Sequence, residues 1–169
     1  MRGFERTCVR TTARVGKNID KHNTLLLASI ALTALCGMAM SAHALPFLYG
    51  MLPVSFARQF HLAMSYWSFV LMGMHLGLHI PSMTARWNKT VKAILAVLCI
   101  AIAGVGLWLF MKSGIVDYLF FRSPFAFFDY DKSVVIVFSE NLAMLTAFAA
   151  FGACAAALIR AFAAKKKRA

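Results

Sequence analysis

Apolar runs of about 20 residues, the length a helix needs to cross a bilayer, recur along this chain and leave little between them. They fall at 24–43, 58–80, 91–111 and 134–160, separated by polar or proline-bearing connections at Leu45 to Ala57, Pro81 to Thr90 and Lys112 to Lys132. With 61% of the 169 residues hydrophobic and a mean hydropathy of +0.71, the pattern predicts an all-α integral membrane four-helix bundle. It divides into a basic juxtamembrane segment at 1–23, a transmembrane domain at 24–163 and a basic cytoplasmic tail at 164–169. Four helices enclose one small interior. No stretch is long or polar enough for a separate soluble catalytic domain, and neither internal repeats nor low-complexity tracts appear. Any chemistry must sit inside the bundle.

A net charge of +12 raises the question of nucleic acid, but the basic residues flank apolar runs instead of forming a patch among exposed aromatics. Their distribution reads as topology. Arg2, Arg6, Arg10, Arg14, Lys17 and Lys21 precede the first run, Arg86, Lys89 and Lys92 lie between the second and third, and Arg160 with Lys165 to Arg168 closes the chain. The opposite side holds Arg58, Lys112, Arg122 and Lys132 against Asp117, Asp129, Asp131 and Glu140. Both termini are therefore expected in the cytoplasm, in a multi-pass arrangement, with a partner in the lipid bilayer and none in nucleic acid. Arginines at a spacing of four ahead of the first run suit a juxtamembrane helix near anionic headgroups. Ala42-His43-Ala44 mimics a signal-peptide cleavage site. The long basic region and long apolar run before it argue for retention.

Cys8, Cys36, Cys99 and Cys154 are isolated and carry no C-x-x-C, so thiol redox chemistry is not expected. Gly-rich phosphate loops, paired interior carboxylates and nucleophile elbows are missing from the sequence. What remains is histidine. His61, His75 and His79 lie on one apolar segment, HLAMSYWSFVLMGMHLGLH, and an ionisable residue inside a membrane is a functional candidate by default. At helical steps of three, four and seven from His61, one face carries Ser65, Ser68, Met72, His75 and His79. The small serines leave room for a flat macrocycle and offer hydroxyls to backbone or propionates. His61 and His75 are about 21 Å apart along the axis at 1.5 Å per residue, near opposite leaflets. Gly73 and Gly77 on the adjoining face form a G-x-x-x-G that admits a close neighbour.

This spacing points to a bound metal centre, with haem b, one or two per chain, as the leading candidate. A single zinc tetrahedron is disfavoured, because no acidic or thiolate ligand joins the cluster and its members are too far apart. Helix 1 supplies His22 and His43 as facing ligands. Counting residues down an antiparallel pair sets His43 level with His61 and His22 near His79. His75 then falls opposite Ser29, where a shared centre with His22 requires tilt, or a methionine partner such as Met40 or Met72. The aromatic connection GIVDYLFFRSPFAFFDYD suits the membrane interface, as a belt, a lid or a docking surface. Tyr66 and Trp67 lie off the histidine face.

The run ARQFHLAMSYWSFVLMGMHLGLH, with SAHALPFLYG upstream and GIVDYLFFRSPFAFFDYD downstream, resembles the small bacterial b-type cytochromes associated with flavinylated proteins, a family long catalogued as a domain of unknown function. The resemblance implies a cytochrome b-like bundle in the bacterial cytoplasmic (inner) membrane. It also implies electron transfer between a membrane donor, a quinol or flavoprotein, and flavin-bearing or other redox partners outside that membrane. His61, His75 and His79 carry over from the family pattern. On this reading the chain is an electron-transfer subunit rather than a stand-alone enzyme, as a homodimer or within a complex. The reading from another class is a non-redox membrane protein, a small-solute or proton transporter or an assembly or scaffold factor, whose histidines gate protons or only pack.

Overall fold

The computed structural model describes residues 2–41, 46–47, 52–123, 125, 129 and 131–168, with side chains placed for all of these but 2–19 and 162–168. Five helices account for nearly all of it: α1 (Arg2–Met40), α2 (Val54–Met83), α3 (Lys89–Lys112), the short α4 (Ile115–Leu119) and α5 (Val134–Arg168). No strand occurs among the described residues.

Three helices are long and apolar enough to cross a membrane, at Asp20–Met40, Lys89–Lys112 and Val134–Ala161. Their outward faces are inconsistent with water, since Leu27 is 68% exposed, Ile100 68% and Phe138 68%, which marks a lipid-facing surface of far more than one patch. This is a membrane protein. The α2 helix, expected as a span at 58–80, is present over 30 residues but is not among the three. Its histidines, serines and glycines lower its apolarity, and it can carry them because neighbours shield it. Ala57, Ala63, Ser68, Leu71, Gly73 and Gly77 are all buried.

The helices pack in the order α1, α2, α5, α3, with α1 also touching α5 and no direct α2 to α3 contact among the described residues. Small residues set the spacing. A Cβ on Gly77 would collide with the Ala149 carbonyl oxygen, one on Gly152 with that of Met74, and one on Gly106 with that of Ala143. Backbones at such range leave no room for a methyl group, as the G-x-x-x-G pattern predicts.

Pro81 does not end its helix as the sequence reading expected. The α2 helix runs on through Pro81 to Met83, because a proline this close to the end disturbs only the last turn. The α1 helix continues without interruption from Arg2 to Met40. At 39 residues and 1.5 Å per residue α1 is about 58 Å long, well beyond the ~30 Å hydrocarbon core.

The connection between α3 and α5 turns at Gly114, whose φ of 71° suits the left-handed region. It then folds α4 back against α2. Ile115, Leu119 and Met144 form a buried cluster with Tyr66, Trp67, Phe69, Leu109 and Phe110 around it. The Trp67 Nε1–H donates to the Leu119 carbonyl at 3.2 Å and Gln59 Nε2 to that of Phe121 at 2.6 Å. Tyr66 stacks on Tyr118 at 5.3 Å. Part of the aromatic connection is thus fixed to α2.

Candidate histidine site

Two antiparallel helices bring the histidines together through a seven-residue repeat. From the α1 side it reads His22, Ser29 and Cys36, and from the α2 side His61, Ser68 and His75. At 3.5 residues per turn a heptad step keeps residues on one seam. The middle layer is a hydrogen bond between buried serines. Ser68 Oγ donates to Ser29 Oγ at 3.0 Å, and Ser29 Oγ donates onward to the Leu26 carbonyl at 2.8 Å.

One layer toward the N-terminal part of α1, the rings of His22 and His75 have centres 6.0 Å apart and planes 11° from parallel. His79, one turn along α2, lies 4.7 Å from His75 at 57°. His22 Nε2 is 3.1 Å from the Leu71 carbonyl oxygen. A carbonyl accepts only, so this nitrogen carries the proton, and in the neutral ring Nδ1 keeps the lone pair. The Nδ1 of His75 is buried and has no hydrogen-bond partner. A buried ring nitrogen left unpaired is costly, and it is the sole side-chain atom in that state among the described residues.

At the opposite end of the seam, His61 Nδ1 donates to the Thr33 carbonyl at 2.8 Å. Its neutral ring therefore presents Nε2 as the lone-pair nitrogen, which has no protein partner among the described residues. The two ends share one plan. An imidazole from one helix donates to the carbonyl four residues before a facing position on the other, Leu71 before His75 and Thr33 before Gly37. They differ at that facing position, which holds an imidazole at one end and a glycine at the other.

No protein-family model, curated protein or solved structure matches this chain.

The register corrects the residue counting made from sequence. His22 meets His75 directly, not His79, and Ser29 meets Ser68, not His75. His61 faces Thr33 and Gly37 instead of residues further along α1. The counting assumed that the ends of α1 and α2 lie level, whereas the small-residue seam sets them about two turns apart. His43 lies outside the described residues. Ser65, expected to line the same face, donates to the carbonyl of His61 in its own helix at 2.8 Å. Met72 is half exposed. Cys36, Cys99 and Cys154 are free thiols. Ser29 was missed as the layer between the two ends, and Thr33 and Gly37 as parts of the His61 site. The seven-residue spacing of His22 and Ser29 against that of Ser68 and His75 was the signal available for the first, while a backbone acceptor and a glycine leave none.

Among the described residues no group of three or more His, Cys, Asp or Glu is arranged to hold a metal ion. A bare cation, which needs three or four protein donors, therefore has no site in this cluster. A macrocycle that carries most of a metal's donors would need only one or two imidazoles, which His22 and His75 at one end and His61 at the other could supply.

Proposed function

We propose that this chain is a transmembrane b-type cytochrome, an electron-transfer subunit of a bacterial cytoplasmic membrane whose four long helices all span the bilayer and whose termini are cytoplasmic. The observation that carries the reading is the His22 and His75 pair. The two rings come from facing helices and lie nearly parallel with centres 6.0 Å apart, and the unpartnered Nδ1 of His75 is an orphan that a bound group would satisfy. These residues fit haem.

His22 and His75 would hold the inner haem, with His79 beside them. His61 would hold an outer one through Nε2. Haem supplies one-electron chemistry when bound. The chain's own part is to fix the ligating rings. Carbonyls of Leu71 and Thr33 set the two tautomers, and apolar helices on either side of α2 keep water and bulk dielectric away. Two centres on opposite sides of the Ser29 and Ser68 layer suit transfer across the membrane between a quinol or flavoprotein donor and an extracytoplasmic, flavin-bearing acceptor.

The deciding experiment is a dithionite-reduced minus air-oxidised absorption spectrum of the detergent-purified protein, with a pyridine haemochrome assay for stoichiometry. A b-type spectrum is expected. A colourless protein from haem-replete cells would favour the non-redox reading, in which the same histidines move protons or pack.

A further inference from the structure

We propose that Gly37 is a positioning residue for His61, the glycine seat that allows one ring tautomer and so decides which nitrogen is presented. A Cβ built on Gly37 would lie 3.1 Å from His61 Cε1 and 3.4 Å from Nδ1. The imidazole thus rests against the α1 backbone where any other residue would have a side chain. From that position its Nδ1–H reaches the Thr33 carbonyl at 2.8 Å. In an α-helix the same carbonyl accepts the Gly37 N–H, so one turn of α1 provides both the room and the acceptor. The α1 residues around it reinforce the turn, with Thr33 Oγ1 donating to the Ser29 carbonyl at 2.8 Å.

A methyl group at Gly37 must push the ring by a few tenths of an ångström, and a branched side chain pushes it further. The displaced ring loses the Thr33 bond, and with it the preference for a free Nε2. The geometry stands by itself, while its consequence for ligation rests on the cytochrome reading.

The test uses the full chain, labelled with 15N-histidine and reconstituted in bilayers, and reads the His61 tautomer by solid-state NMR before haem is added. Haem titration of the same samples follows. Wild type is expected in the Nδ1–H form. Gly37→Val should lose that form and bind outer haem roughly 10- to 100-fold more weakly, in the range seen when groups that orient a metal ligand are removed. Gly37→Ala should fall between them, and it carries the test if the valine variant fails to insert. Ser29→Ala, which loosens the same helix pair two turns away, should leave the His61 signal in place. An unchanged tautomer in both Gly37 variants overturns the proposal, as does an equal change in Ser29→Ala. A tautomer that is fixed in wild type and lost in Gly37→Val, with no haem bound by either, upholds the positioning role and defeats the cytochrome reading instead.

Discussion

His22 and His75 stand on different helices with ring centres 6.0 Å apart and planes 11° from parallel, although neither is hydrogen-bonded to the other. On the cytochrome reading proposed above, His22 and His75 both hold the inner haem. His75→Ala and His22→Ala are therefore each expected to remove the inner haem signal while the protein still inserts. His61→Ala should remove the outer one. Difference spectra of the membrane-inserted variants check this, and unchanged spectra in both His61→Ala and His75→Ala would defeat the assignment.

The serine layer is expected to contribute little energy. A hydrogen bond between helices inside a membrane averages about 0.6 kcal/mol. Ser29→Ala and Ser68→Ala should each lower stability by about that amount, and the double variant by less than the two together, because Ser68 donates to Ser29. Reversible unfolding in detergent of the two single variants and the double one measures the coupling.

Glycines should divide sharply by what faces them. Gly77→Ala places a methyl carbon against the Ala149 carbonyl and is expected to cost about 1–3 kcal/mol as an overpacked contact. Gly104 has nothing within 4 Å of a built Cβ, so Gly104→Ala should stabilise by about 0.5–1 kcal/mol through helix propensity alone. Thermal melts of the purified variants distinguish them, and equal effects at the two positions would contradict the packing described.

Trp67→Phe keeps most of the ring and loses the bond to the Leu119 carbonyl. The expected cost is about 0.5–1.5 kcal/mol. The readout is local, because faster amide exchange should be confined to α4 and its flanks while the interior of α5 keeps its protection. Uniform acceleration across all helices would show that α4 is not an independently docked element.

How much of this was legible in the sequence differs from helix to helix. The helical runs of α1, α3 and α5 follow from apolar length, which a bilayer enforces with few exceptions. The close approach at Gly77 was legible too, because a glycine pair at a spacing of four has one common use in such helices. The pairing of His22 with His75 was open only as one alternative, which required tilt. Residue counting fixes depth only when both ends of a helix pair are level, and here the small side chains along the seam choose a register about two turns away. His61 was legible as a functional candidate, but its acceptor is the main-chain carbonyl of Thr33, and every residue has one. No side-chain pattern could have singled it out.

The order α1, α2, α5, α3 has a consequence for synthesis. The first two helices can pair as soon as α2 leaves the ribosome, which assembles the His22, Ser29 and His61 seam early. The opposite face of α2, where Gly73 and Gly77 lie open, must wait while α3 is made and inserted, since α3 does not cover it. During that interval the helix that carries three of the histidines has one flank uncovered, and only the arrival of α5, translated after α3, closes it. A ribosome that stalls after α3 would leave α2 covered on one side only, a natural substrate for quality control.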